Sequence, residues 1–138
     1  MNDSVLNIYT DGGSRGNPGP AATGVVIKNS QGRLVDAFGQ TIGKATNNVA
    51  EYKALIAALV WLKDHPQVKQ VNFFLDSTLV VNQVNGMWKM KDPNLRQLLI
   101  NIRELEAQTT AKLYYKAIPR EQNSQADLQV NLALDKLL

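Results

Sequence analysis

The sequence predicts an α/β domain built on a five-stranded mixed sheet, three antiparallel strands followed by two parallel ones, flanked by helices. Three observations lead there. Short apolar runs rich in β-branched and aromatic residues crowd the N-terminal third with only turn-length connections, the pattern of an antiparallel meander. Beyond them strands alternate with helical patterns, which implies crossover connections and parallel pairing. The 138 residues, 44% hydrophobic and 20% charged, suffice for one domain (1–138) with a real core.

The first strand is read over residues 5–9 and ends at Asp11. Residues 12–20 then hold four glycines and two prolines, a loop in which glycine exposes backbone N–H groups and proline stiffens the chain. Strands follow at 22–28 and 33–39, joined by a hairpin turn at Asn29-Ser30-Gln31-Gly32. Residues 41–45 lead into a helix with Asn47 and Asn48 as its N-cap and an Ala/Leu-rich body over 49–62, stopped near Pro66. A fourth strand at 71–75 ends in Asp76-Ser77, and a short helix runs from Thr78 to Gln83. Asn85-Gly86 breaks the chain, and Asp92-Pro93 opens a helix with Leu95, Leu98, Leu99, Ile102 and Leu105 on one face. A fifth strand at 112–118 precedes a helix opened by Ser124-Gln125-Ala126-Asp127, which turns Ala126, Val130, Ala133, Leu134 and Leu137 inward.

Composition narrows the chemistry. Without cysteine there is no disulfide framework and no thiolate metal site, and a single histidine, His65, rules out a histidine-rich one. His65 sits at a helix end, where it suits the helix dipole. Any metal must be held by carboxylate oxygens, which favours a hard cation, Mg²⁺ or Mn²⁺. No apolar run approaches a membrane span and the N-terminus lacks a signal-peptide pattern, so a cytoplasmic protein is expected. The net charge of +3 permits a nucleic-acid partner.

Four acids stand at suggestive places. Asp11 and Asp76 end strands, Glu51 lies one turn into the first long helix, and Asp127 lies in the first turn of the last. Each has an innocent explanation. Asp11 can begin a turn, Asp76 can cap the short helix, Glu51 stands at the capping-box place after Asn48, and Ser124-x-x-Asp127 is itself such a box. Yet Glu51 shares a face with Leu55, Ala58 and Leu62, so it should point at the sheet. If the first and fourth strands are neighbours, their terminal aspartates lie roughly 5 Å apart at the backbone. Carboxylates that close need protonation or a cation, and a divalent ion, or two ~3.5–4 Å apart, would resolve the repulsion.

In order along the chain, Tyr9-Thr10-Asp11-Gly12-Gly13-Ser14-x-Gly16-Asn17-Pro18-Gly19-Pro20, Thr46-Asn47-Asn48-x-x-Glu51, Asp76-Ser77 and Arg120-Glu121-x-Asn123-x-x-x-Asp127 resemble the type 1 ribonuclease H family. The likeness spans nearly the whole sequence. It implies a ribonuclease H-like fold and hydrolysis of the RNA strand of RNA–DNA hybrids with two Mg²⁺ ions, leaving 5′-phosphate and 3′-hydroxyl ends. By position, Asp11, Glu51, Asp76 and Asp127 match the family's metal-binding carboxylates. Gly13, Ser14, Gly16, Asn17, Asn47 and Asn48 would lie along the minor groove, where 2′-hydroxyls distinguish RNA from DNA. Thr46 matches a position that holds a DNA phosphate.

The sequence departs from the family pattern in three ways. The histidine that many bacterial members carry before the last acid is absent; Ile118-Pro119-Arg120-Glu121 stands there, and Arg120 is an auxiliary candidate for neutralising a phosphate. A common glutamine two residues after the third acid is Thr78, a shorter candidate for a base contact. Residues 85–93 are too few for a basic protrusion, as in the protrusion-less subgroup. Trp88, followed by Lys89 and Lys91, either stacks on the DNA strand's sugar or reaches its phosphates, or else packs beneath its loop as core. The leading expectation is a nuclease with hybrid as its partner, double-stranded RNA as a further candidate, and a monomeric state. A hybrid-binding module without turnover and a plain structural domain are the alternatives.

Overall fold

A computed structural model describes residues 4–136. The element order is β1 (Val5–Ser14), β2 (Gly19–Asn29), β3 (Leu34–Ala45), α1 (Asn47–Lys63), β4 (Gln70–Leu75), α2 (Thr78–Val84), α3 (Pro93–Glu106), β5 (Lys112–Ala117), a 3₁₀ turn (Arg120–Gln122) and α4 (Ser124–Asp135). The sheet runs β3-β2-β1-β4-β5, antiparallel on the β3-β2-β1 side and parallel from β1 to β4 and from β4 to β5. The expected architecture stands. The inward orientation expected of Leu137 lies outside the described residues.

The N-terminal strands are longer than their sequence suggests. Gly12, Gly13 and Ser14 continue β1 against Thr23, Ala22 and Ala21, so Asp11 lies within a strand and not at its end. Residues 41–45, expected to lead into the helix, instead complete β3 opposite the start of β2. Only 15–18 remain as the turn. Backbone pairing supplies what the glycines and prolines lack in strand propensity.

The main core lies between the sheet and α1, with α2 and α3 closing it. Ile8, Val25, Ile27, Tyr52, Leu55, Leu59, Phe73 and Ile102 are buried there. Each such side chain contributes about 1.5–3 kcal/mol through its burial. α1 is held between sheet and α3, which is why its apolar residues are not confined to one narrow stripe. A smaller cluster, Ala22 with Val130, Ala133 and Leu134, seats α4 on the opposite face.

Both site-bearing helices rest on glycines. A Cβ on Gly12 would overlap the carbonyl of Ala50 in α1, and Cβ atoms on Gly24 and Gly39 would overlap the carbonyls of Ala126 and Gln129 in α4. Helix backbone therefore touches strand backbone directly. Gly12→Ala is expected to cost about 3 kcal/mol or more, because α1 must lift off β1. Thermal denaturation checks it, and a melting temperature equal to the parent's would show that α1 does not sit so close.

Candidate active site

The parallel pairing of β1 with β4 ends at Thr10 and Leu75. The next residue on each strand is an aspartate, Asp11 and Asp76, so the sheet's own register sets these two carboxylates side by side. Glu51 arrives from α1, buried, and its carboxylate accepts the N–H of Gly12. One oxygen from each of Asp11, Glu51 and Asp76 lies within 4.8 Å of the others. Asp127 reaches the same cleft from the first turn of α4 and is exposed, with Asn131 Nδ2 donating to its carboxylate at 3.3 Å. The cleft, about 420 Å³, is also lined by Ser14, Asn47, Asn48, Ser77 and Arg120.

None of the capping explanations is realised. Thr46, not Asn47 or Asn48, caps α1, its hydroxyl accepting Val49 N–H at 3.2 Å. Ser77 caps α2 through the N–H of Val80, leaving Asp76 uninvolved. The residue before α4 is Asn123, no side chain caps that helix, and the Ser124 box does not form. Side-chain oxygens of Ser, Thr and Asn compete closely for such places, so the one-residue shift at α1 is a small energetic choice.

The electrostatics follow from the crowding. Burial, with the charges of Asp76 and Asp127, raises Asp11 from 3.8 to about 7, although a hydrogen bond with Glu51 opposes this. Glu51 is raised well above the usual carboxylate range by its burial and by Asp11, and the Gly12 N–H only partly offsets that. These acids suit a bound positive charge. Their all-oxygen donor set, buried at one side and open at the other, fits a hard divalent cation.

Around the acids, the rest of the expected contact set divides. Ser14 N–H donates to Asn47 Oδ1 at 3.0 Å, and Asn47 N–H donates to Asn17 Oδ1 at 3.0 Å, tying the 15–18 turn to the start of α1. Gly13 lines the cleft, and Gly16 has φ +95, a left-handed turn conformation that favours glycine. Thr46 faces a separate shallow depression with Lys44, Lys53, Asn94 and Gln97. Thr78 is exposed at the start of α2 and outside the residues lining the cleft.

Trp88 is 50% exposed, which removes the core alternative. It projects from a pinned connection. Met87 and Trp88 N–H groups donate to Asn82 O, and Arg103 Nη2 donates to Val84 O at 2.6 Å. His65 stacks on Trp61 at 3.6 Å and its Nδ1 meets the Trp61 carbonyl, in keeping with a helix-end role. Asn123 lies in the Arg120–Asp127 motif with no role evident from its type alone, and Gly24 and Gly39 are isolated glycines inside strand patterns, a signal for close backbone approach.

A mixed sheet of this order, with acids from two adjacent parallel strands and two helices meeting at one end, defines a ribonuclease H-like domain. Residues 9–133 match the reverse transcriptase-like family. Ribonuclease HI of Halobacterium salinarum is 44% identical over 130 residues, covering 94% of this chain and 64% of that protein. The bifunctional protein Rv2228c of Mycobacterium tuberculosis is 43% identical over 133 residues, covering 93% of this chain and 35% of that protein. The chain thus spans just under two thirds of the first relative and about a third of the second. LC11 ribonuclease H1, isolated from compost and crystallised in complex with an RNA/DNA hybrid, superposes with a TM-score of 0.92 at 42% identity, over 96% of this chain and 98% of that one. The chain belongs to the reverse transcriptase-like family and, within it, to the type 1 ribonucleases H.

Proposed function

We propose that this chain is a divalent-metal-dependent endoribonuclease that hydrolyses the RNA strand of RNA–DNA hybrids, acting as one domain and as a monomer. The observation that carries the reading is the convergence of Asp11, Glu51 and Asp76 oxygens within 4.8 Å in an open cleft. The crystallised complex of the LC11 relative with hybrid supports the substrate.

Asp11, Glu51 and Asp76 would hold Mg²⁺, with Mn²⁺ as substitute, and Asp127 would complete a second position at the mouth. When bound, the cations acidify the attacking water and stabilise the leaving 3′-oxygen. The chain's own residues orient the hybrid. Gly13, Ser14, Gly16, Asn17, Asn47 and Asn48 lie along the minor groove, where a 2′-hydroxyl marks the RNA strand. Thr46, with Lys44 and Lys53 in the same depression, receives a DNA phosphate, and Thr78 lies beyond the cleft as an outer contact. Arg120 offsets phosphate charge at the cleft wall.

Labelled RNA–DNA hybrid incubated with Mg²⁺ tests the proposal directly. Cutting to 5′-phosphate and 3′-hydroxyl ends, lost on chelation, is the expected result; binding without cutting would leave a recognition module. Double-stranded RNA in the same assay defines the substrate range. Arg120→Ala is expected to lower turnover about fivefold, the equivalent of roughly 1 kcal/mol, with KM little changed. Unchanged turnover would remove it from the reaction.

Trp88→Ala is expected to weaken hybrid binding by about 1–2 kcal/mol, roughly five- to thirtyfold, because one base or sugar face loses its aromatic neighbour. Turnover at saturating hybrid should hold. Fluorescence anisotropy across a salt series measures it, and parent binding should itself fall as salt rises.

A further inference from the structure

Asn123 sits where three acid-bearing segments meet. It is 1% exposed, directly precedes α4, and makes no side-chain cap bond to that helix. Its Nδ2 instead donates to the Thr10 carbonyl at 2.8 Å and to Asp76 Oδ2 at 3.4 Å. Its backbone carbonyl accepts the N–H of Asp127 at 3.1 Å. The Thr10 carbonyl belongs to the peptide bond that leads into Asp11. One buried residue therefore touches the backbone carrying Asp11, the carboxylate of Asp76 and the helical turn of Asp127.

We infer that Asn123 is a positioning residue for the cation-binding carboxylates, holding Asp76 in register with Asp11; this rests on the cation site proposed above. An amide suits the place because it carries two protons on one nitrogen, one for a carbonyl and one for a carboxylate, and adds no charge. Turned the other way, Oδ1 would face two acceptors. The orientation has a cost, since Oδ1 is buried with no hydrogen-bond partner among the described residues. A residue serving only to anchor a loop would gain nothing from aiming its donors at Asp76 while leaving its acceptor unpaired. An ionised aspartate there would have no proton to give and would repel Asp76, whereas alanine would leave the buried Thr10 carbonyl unmet.

The test is cation affinity in the absence of nucleic acid, read by titration calorimetry with Mg²⁺ and Mn²⁺ on the parent, Asn123→Ala and Asn123→Asp. Both variants are expected to bind about ten- to a hundredfold more weakly, the nearly isosteric aspartate giving no rescue. Their hybrid binding in chelator should match the parent's. Folded variants with parental cation affinity overturn the inference, even where melting temperature drops. Should the variants not fold, the parent's own Asn123 side-chain amide resonances decide: they shift on Mg²⁺ addition if the amide follows the Asp76 carboxylate, and resonances unmoved at saturation overturn it. A parent that binds no cation overturns the metal-dependent reading itself and this inference with it.

Discussion

Asp11→Asn is expected to lower hybrid cleavage by about 10³-fold or more, because each divalent ion supplies several kcal/mol of charge stabilisation in the transition state. Asp11 is the acid the others converge on. It neighbours Asp76 through the end of the β1–β4 ladder, exchanges a hydrogen bond with Glu51, and feels the charge of Asp127. Its amide isostere retains the volume but gives up the negative charge that a hard cation requires. The loss should not be a folding defect. Asp11 is buried among like charges, so the substitution removes a repulsion, and in chelator the variant should melt no lower than the parent. Inactivity together with undiminished stability separates a functional carboxylate from a structural one. A variant that still cuts hybrid at the parental rate would dismiss Asp11 from the chemistry.

The topology was legible because its punctuation is local. Asn29 to Gly32 does form the turn between β2 and β3, with Asn29 Oδ1 accepting the N–H groups of Gln31 and Arg33, and Asp92 does cap α3 ahead of Pro93. Strand limits were less legible, since β1 extends to Ser14 and β3 to Ala45 through pairing with β2 that no window of residues contains. Gly12 reads as part of a turn-rich loop, and Gly24 and Gly39 lie within strand patterns, yet the purpose of all three is tertiary, to admit helix backbones. The acids could be picked out because their residue types and order resemble a family. Asn123 was not, because its role lies in a bond to Thr10 113 positions away. Trp88 could not be placed from sequence, as an aromatic between Met87 and Lys89 suits either a core or a rim until the backbone beneath it is seen to be pinned.

With chelator present, stability should fall as pH rises from about 4 to 7, and divalent cation should abolish the fall. The folded-state pKa of Asp11, about 7, exceeds its ordinary value of 3.8. Between those values the folded chain holds a proton that the unfolded chain has released. Its contribution to stability is therefore complete below the unfolded pKa and is lost as pH climbs through the folded one. Glu51, raised by burial and by Asp11, acts in the same direction. For Asp11 the span is on the order of 4 kcal/mol at most, or roughly 14 °C in melting temperature for a domain of this size. Saturating Mg²⁺ replaces the proton as counter-charge and adds its own binding free energy to the folded state. Thermal melts from pH 4.5 to 8, in chelator and in Mg²⁺, measure the two curves, and Asp11→Asn isolates the part belonging to that group by flattening the chelator curve. Parallel curves in both conditions would mean that the buried acids neither hold the proton nor exchange it for a cation.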